Sequence, residues 1–220
     1  MNTQLHYTEK GTGFPLILLH GNGEDSSYFV HQTEYFSADY RVIAVDTRGH
    51  GSSPRGNAPF SIAQFAEDLK NFMDRLSLPK AHILGFSDGG NIALTFALKY
   101  PEKVEKLILN GANLNPKGVK TSVQIPVVLG YYAAKLLGGK SKAELLGLMV
   151  NEPNFVPDDL KTLKTPTLVI AGKKDMIKDS HTRLIAAHIE NSHLAIIEGD
   201  HFIANKNPRE FNTILHNFLC

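Results

Sequence analysis

A serine between two glycines forms the most specific motif of the chain, G-x-S-x-G over residues 85–89. The motif follows a short apolar run and precedes a segment with helical spacing. A serine on such a sharp strand-to-helix turn has a strained backbone and presents its hydroxyl to a pocket, and the flanking glycines relieve crowding. This context favours Ser87 as a nucleophile, with an ordinary glycine-rich turn as the alternative.

A histidine and an aspartate have the positions needed to activate this serine. A serine hydroxyl is a weak nucleophile until a base takes its proton. His201 follows the last predicted strand and Asp175 follows the strand before it, so both are expected at the carboxyl edge of the sheet. We therefore predict a catalytic triad in which His201 is the base and Asp175 orients it. Asp179 and Asp200 are the nearest alternatives to Asp175, and Asp200 is disfavoured because adjacent side chains generally point apart.

Two backbone N–H groups are candidates for an oxyanion hole. Asp88 is predicted at the start of a helix, where N–H groups have no partner within the helix. Asn22 lies between glycines in the loop after the first central strand, and these glycines let the backbone turn towards the serine. We interpret His20 as structural, and we place His50, in the glycine-rich turn 46–53, outside the mechanism.

Short apolar runs alternate with segments of helical spacing and predict the fold that would position these residues. Continuous apolar runs are typical of strands that are covered on both faces. The predicted strands cover residues 15–20, 41–46, 81–86, 104–110, 167–172 and 193–198. With residues 4–10 as an antiparallel edge strand, we expect an α/β fold with a doubly wound, mostly parallel sheet of about seven strands.

The interval 114–165 contains no convincing buried strand. Its pattern predicts a helix over 126–137 and a second helix from Ser141, where Ser141 and Glu144 match a capping box. We interpret the interval as a short helical lid inserted into a single domain, residues 1–220, that covers a pocket. Two helices packed on the sheet without a gating role are the alternative. The candidates for the pocket walls are Phe86, Tyr28, Tyr131, Tyr132 and Met149.

Composition limits the classes of partner. With 23 Lys and Arg against 22 Asp and Glu, the net charge of +1 predicts no general attraction to nucleic acid or to an anionic membrane. The single cysteine, Cys220, permits no intrachain disulfide and no cysteine metal site. No leader or membrane-length apolar run is visible, so a cytoplasmic location is expected. We expect a monomer or homodimer that acts on a small-molecule substrate.

Five landmarks in one order resemble the α/β-hydrolase superfamily: the His20-Gly21 pair, the turn 46–53, the elbow 85–90, the Gly172-x-x-Asp175 motif and His201. The resemblance covers essentially the whole chain. It implies acyl-enzyme formation on Ser87 from a small carboxylic ester or related acyl substrate, with no metal or organic cofactor. The small lid suggests an open pocket and short acyl groups. Because this superfamily serves many functions, a lactonase, a C–C bond hydrolase of aromatic degradation and a small-molecule receptor stay open as alternatives.

The residue after the serine suggests a substrate class. The sequence Gly-x-Ser-Asp-Gly-Gly over residues 85–90 resembles the elbow of α-amino-ester hydrolases similar to valacyclovir hydrolase, in which this acidic residue receives the ammonium group of the substrate. Carried onto Asp88, the resemblance implies a preference for amino-acyl esters. The alternative is a purely local role, because the helix dipole favours a carboxylate in the first turn by about 0.3–1 kcal/mol.

Overall fold

The computed structural model describes residues 3–220. A seven-stranded sheet with the order β1-β3-β2-β4-β5-β6-β7 forms its centre. The strands are β1 (Tyr7–Lys10), β2 (Phe14–Leu19), β3 (Tyr40–Val45), β4 (Ala81–Phe86), β5 (Val104–Asn110), β6 (Thr167–Gly172) and β7 (Ser192–Ile197). The edge strand β1 pairs antiparallel with β3, and the other neighbours are parallel. The predicted doubly wound, mostly parallel sheet is thus confirmed.

Helices cover both faces of this sheet. They are α1 (Val30–Phe36), α2 (Ile62–Arg75), α3 (Asp88–Lys99), α4 (Thr121–Leu136), α5 (Lys140–Asn151), α6 (Asp179–His188), α7 (Ile203–Lys206) and α8 (Pro208–Leu219). Short 3-10 turns lie at Ser26–Phe29, Pro101–Lys103, Pro116–Gly118 and Pro157–Thr162. Within residues 3–220, none of the helices combines the length and the apolar character that crossing a membrane requires.

The two halves of the core lie on opposite faces of the sheet. Successive side chains of a strand alternate between faces, so Ile83 of β4 packs in the cluster that contains α2 and α3, whereas Leu84 packs with α1 and α8. Both faces are therefore dry. This explains why the central strands are continuous apolar runs rather than alternating ones.

The interval 114–165 differs in detail from its prediction. The first helix begins at Thr121, so Pro126 lies inside α4 rather than at its start. The second helix begins at Lys140, and the predicted capping box does not form. The carboxylate of Glu144 instead accepts two hydrogen bonds from Arg55, at 2.6 and 2.9 Å. A bidentate pair with a guanidinium is a stronger partner for a carboxylate than a backbone N–H.

A buried ion pair fixes the turn 46–53 to the core. Arg48 donates two hydrogen bonds to Asp68 of α2, at 2.5 and 2.6 Å, and a third to the carbonyl of Arg55 at 3.1 Å. The two side chains are 1% and 3% exposed. A charge at such depth is tolerated only because its partner is present. Arg48 therefore holds this turn against α2.

Removing one partner of this pair is expected to be costly. Arg48→Met leaves Asp68 buried without its cation, and we expect the free energy of unfolding to fall by about 3–5 kcal/mol in urea denaturation. The double variant Arg48→Met/Asp68→Leu should recover much of the loss. Arg183→Met, which breaks an exposed pair with Asp179, is the matched control and should cost less than about 1 kcal/mol. Equal losses for the buried and the exposed variants would contradict this account.

Candidate active site

Ser87 occupies the turn between β4 and α3 with a strained backbone, at φ 53° and ψ −120°. Its N–H donates to the carbonyl of Asn110 at 2.8 Å. A Cβ on Gly85 would lie 2.2 Å from the carbonyl oxygen of Gly89, and a Cβ on Gly89 would lie 2.1 Å from that of Leu19. Because no side chain fits at such distances, the start of α3 approaches β4 and β2 this closely only with glycine on both sides of the serine.

The structure brings Ser87, His201 and Asp175 into one hydrogen-bonded series. Nε2 of His201 lies 3.0 Å from Oγ of Ser87, and Nδ1 lies 2.7 Å from Oδ1 of Asp175. Oδ1 of Asp175 also accepts from the N–H of Ile177 at 2.8 Å, which orients the carboxylate. The imidazole and the Asp175 carboxylate are buried. This is the geometry in which an imidazole can take a proton from a hydroxyl.

The other two candidate carboxylates have partners of their own. Asp179 accepts a hydrogen bond from Arg183 at 2.7 Å, and Asp200 accepts one from Lys206 at 2.5 Å. Neither aspartate takes the position next to Nδ1 of His201 that Asp175 holds. The carboxylate that orients the imidazole is therefore that of Asp175.

The loop after β2 has a fixed shape. The carboxylate of Glu24 accepts from the N–H of Gly21 at 3.1 Å, while the N–H of Glu24 donates back to the Gly21 carbonyl at 3.2 Å. Nδ1 of His20 lies 2.7 Å from the same carbonyl. The side-chain amide of Asn22 donates to the carbonyl of Leu145 in α5, at 2.7 Å. The loop that carries the N–H of Asn22 is thus tied both to itself and to the α4–α5 hairpin.

His20 has the structural role that the sequence suggested. Its Nε2 accepts from the N–H of Thr47 at 3.0 Å, and burial lowers the pKa of His20 to about 4. The ring is therefore neutral near pH 7, with a proton on Nδ1 that it donates to the carbonyl of Gly21. His20 connects the loop after β2 to the turn that Arg48 holds in the core.

Ser87 opens on a cavity with almost no free space. About 10 Å³ is open in it, roughly what one water molecule needs. The walls are formed by Asp88, Asn113, Val119, Met149, Glu152, Met176 and Ile177. The open space is too small for an acyl group, so a substrate that occupies this cavity must displace part of its wall. Within residues 3–220, no three metal-ligating side chains come together as a candidate ion site.

Asp88 faces this cavity with an unsatisfied carboxylate oxygen. The residue is 8% exposed, and Oδ1 accepts from the side-chain amide of Asn91 at 3.2 Å. Oδ2 is buried without a hydrogen-bond partner. Burial and, to a smaller extent, the nearby Glu152 carboxylate raise the pKa of Asp88 to about 6, against the lowering effect of the Asn91 hydrogen bond. A buried acceptor without a partner is costly, and a donor from a ligand would satisfy it.

Glu152 is a residue of this cavity that the sequence did not single out. One of its oxygens accepts from the N–H of Ile62 at the start of α2, at 2.7 Å, and burial raises the pKa of Glu152. With Asp88 it gives the cavity two carboxylates, and its described wall includes no lysine or arginine. No motif or spacing links residue 152 to Ser87, because the contact arises only where α5 ends beside α3.

The remaining predicted pocket residues lie in different places. Met149 lines the Ser87 cavity. Phe86 stacks on Tyr28 with centroids 4.4 Å apart, and its ring lies 4.8 Å from that of His201, so both aromatics support the site from within the core. Tyr131 lines a separate cavity of about 450 Å³. Tyr132 does not reach either cavity, because it lies on the outward face of α4 and is 61% exposed.

Comparisons with known proteins agree with this architecture. A family model described as the alpha/beta hydrolase fold matches residues 15–143, more than half of the chain. The putative carbamate hydrolase RutD of Caulobacter sp. (strain K31) is 28% identical over 242 residues, which cover 93% of this chain and 90% of that protein. Serine hydrolase BPHL of Homo sapiens is 28% identical over 243 residues, which cover 98% of this chain and 83% of that protein.

A solved structure extends the comparison to the whole sheet. A thermophilic esterase from Thermogutta terrifontis has a TM-score of 0.85, with 99% of this chain and 93% of that chain covered. At 22% identity, this likeness shows the fold alone. The match to BPHL supports the resemblance to hydrolases similar to valacyclovir hydrolase. As its motifs predicted, the chain belongs to the α/β-hydrolase fold family, and it is a hydrolase.

Proposed function

We propose that this chain is a serine hydrolase that cleaves a small carboxylic ester through an acyl-enzyme on Ser87. The observation that carries the proposal is the hydrogen-bonded series from Ser87 through His201 to Asp175, with distances of 3.0 and 2.7 Å. A buried carboxylate that holds Nδ1–H leaves Nε2 free to accept the serine proton and stabilises the imidazolium that results.

The reaction proceeds in two steps, acylation of Ser87 and hydrolysis of the acyl-enzyme. Oγ of Ser87 attacks the ester carbonyl while Nε2 of His201 takes the hydroxyl proton, and the backbone N–H groups of Asn22 and Asp88 receive the oxyanion. The intermediate expels the alcohol, which takes the proton from His201. Water then loses a proton to His201 and attacks the acyl-enzyme, and the carboxylic acid leaves as Ser87 regains its proton. The segment 114–165 acts in this scheme as a lid, because the closed cavity admits substrate only after a wall shifts.

The charges of the cavity favour a substrate with a cationic acyl group. Two carboxylates, Asp88 and Glu152, face the space beside Ser87, and Oδ2 of Asp88 has no partner. An α-ammonium group on the acyl side would satisfy that oxygen and offset both charges. A substrate that carries a carboxylate would meet repulsion there, which disfavours the C–C hydrolase alternative for acidic ring-cleavage products. We therefore propose α-amino esters as the preferred substrates.

Removal of the nucleophile and of the base tests the mechanism. We expect Ser87→Ala and His201→Ala each to lower kcat on p-nitrophenyl acetate by about 10⁴-fold or more, and the double variant to lose little beyond either single variant. His31→Ala, at an exposed position on α1, is the control and should keep wild-type activity. Additive losses, or turnover by Ser87→Ala at the wild-type rate, would refute the shared role of the pair.

Asp88 makes substrate choice depend on pH. We expect the ratio of kcat/KM for the ethyl esters of alanine and of isobutyric acid to rise as pH increases through about 6, where Asp88 ionises. The rise ends near pH 8, where an α-amino group loses its own proton. Asp88→Asn should lower this ratio by roughly 10- to 100-fold and remove its rise at pH 6. Glu102→Gln, at an exposed site, is the matched control. An unchanged ratio in Asp88→Asn would exclude recognition of the amine.

The tie between Asn22 and α5 gives a separate prediction. Asn22→Ala keeps the backbone N–H but loses the bond to Leu145, so the proposed oxyanion donor is no longer anchored to the lid. We expect kcat to fall by about 10- to 100-fold with little change in KM, because small errors in position are costly in the transition state. Asn22→Asp, which cannot donate to the carbonyl, should behave like the alanine variant. A change confined to KM would assign Asn22 to substrate binding instead.

A further inference from the structure

The outward side of α4 is apolar where a surface helix is normally polar. Ile125, Leu129, Tyr132 and Leu136 recur at helical spacing on this side, and Leu137 continues it; we call these five residues the α4 face. All five are largely exposed, Leu129 by 66% and Leu136 by 87%. Surface helices ordinarily turn such a stripe inward, and a contiguous exposed apolar patch marks a surface that binds something.

Lysines without a carboxylate partner gather around the α4 face. Lys117, Lys120 and Lys178 lie at the start of α4, and Lys135, Lys140 and Lys142 lie at its end. Lysines elsewhere are paired with carboxylates: Lys10, Lys70, Lys80, Lys99, Lys103, Lys161, Lys164, Lys173 and Lys206. In the described part of the chain, only Lys106 and Lys174 lack such a pair outside this region. The single acidic residue between 111 and 151, Glu144, is neutralised by Arg55.

We propose that the α4 face docks on an anionic lipid surface. Its apolar side chains would enter the boundary between headgroups and acyl chains, while the lysines at both ends of the helix would contact phosphates. A second copy of the chain is the less suitable occupant. A two-fold contact through α4 would bring the same unpaired lysines of both copies together, and like charges repel. The net charge of +1, from which no membrane attraction was expected, averages over the whole chain and conceals this local excess.

Docking would act directly on the candidate active site. Val119, just before α4, and Met149 of α5 are walls of the closed cavity at Ser87. The side chain of Gln124 in α4 donates to the carbonyl of Met149 at 3.2 Å, so the two helices are linked at this wall. A shift of the hairpin on a lipid surface would therefore move two walls of the cavity and change the space beside Ser87. An effect of docking on activity rests on the proposed hydrolysis. The docking itself does not depend on it.

Vesicle co-sedimentation of the full chain tests the docking. We expect binding to phosphatidylcholine vesicles that contain phosphatidylglycerol, and much weaker binding to phosphatidylcholine alone. Leu129→Ser/Leu136→Ser and Lys140→Glu/Lys142→Glu should each weaken binding by about tenfold or more, and salt should weaken it further. The matched controls are Val30→Ser/Val156→Ser and Lys10→Glu/Lys161→Glu, which change exposed residues outside the α4 face and should bind as the wild type does.

Other outcomes would overturn the proposal. These are no binding to anionic vesicles, variants of the α4 face that bind as tightly as wild type, and a lipid-free dimer in sedimentation velocity that Leu129→Ser/Leu136→Ser dissociates. Thermal melts establish that each variant is folded. Hydrolysis of soluble p-nitrophenyl acetate should be unchanged in the α4-face variants, because none of their residues lines the Ser87 cavity. If Ser87→Ala binds vesicles as tightly as the wild type, the docking does not require the proposed nucleophile.

Discussion

Ser87 holds its backbone at a positive φ because the chain leaves β4 and enters α3 within one residue. Such a conformation costs on the order of 1–3 kcal/mol and persists only where its surroundings enforce it. Here they do so through the hydrogen bond to Asn110 and through the contact of Gly89 with the backbone of β2. The positions of the other site residues depend on this turn, since His201 must reach Ser87 from the end of β7 across the ends of β6 and β5. Gly111 permits the crossing, because a Cβ there would lie 2.7 Å from the imidazole.

The charges around Ser87 would oppose the proposed ester cleavage unless a cation is present. In that reaction an oxyanion would develop beside Ser87, while Asp88 and Glu152 already place carboxylates at the same cavity. In a space that excludes water, this repulsion is screened only weakly. Burial raises the pKa of both carboxyl groups, and the Glu152 carboxylate adds to the rise at Asp88, so these surroundings already disfavour negative charge in the resting protein. A substrate ammonium would lower this penalty in the ground state and more in the transition state. In the proposed reaction, the acidic cavity would therefore make turnover, and not only binding, depend on the charge of the substrate.

Local chemistry predicted most of the fold and the polar centre of the site. Apolar runs marked the strands to within a residue or two, and the glycines beside Ser87 marked its turn, because both signals arise from neighbours in sequence. The interval 114–165 was predicted less well. Pro126 suggested the start of a helix, yet α4 begins at Thr121. Glu144 does not cap α5, because its carboxylate binds Arg55 from a distant loop. Glu152 carried no signal at all, since its importance arises from a tertiary contact that periodicity does not encode.

The charge around the α4 face, like the contact of Glu152, depends on tertiary structure that the sequence alone did not predict. A net charge describes how a whole chain behaves at long range, but salt screens exposed charges beyond about 10 Å. At a surface, only the groups within that distance act together, and at each end of α4 these are lysines that form no ion pair with a carboxylate of the described chain. The apolar side chains between these lysines would add free energy of binding when they leave water for the lipid. A patch of charges alone has no such contribution. Lysines that are far apart in the sequence thus share a surface only because the fold brings them together, as it does Lys117 and Lys178 at the start of α4.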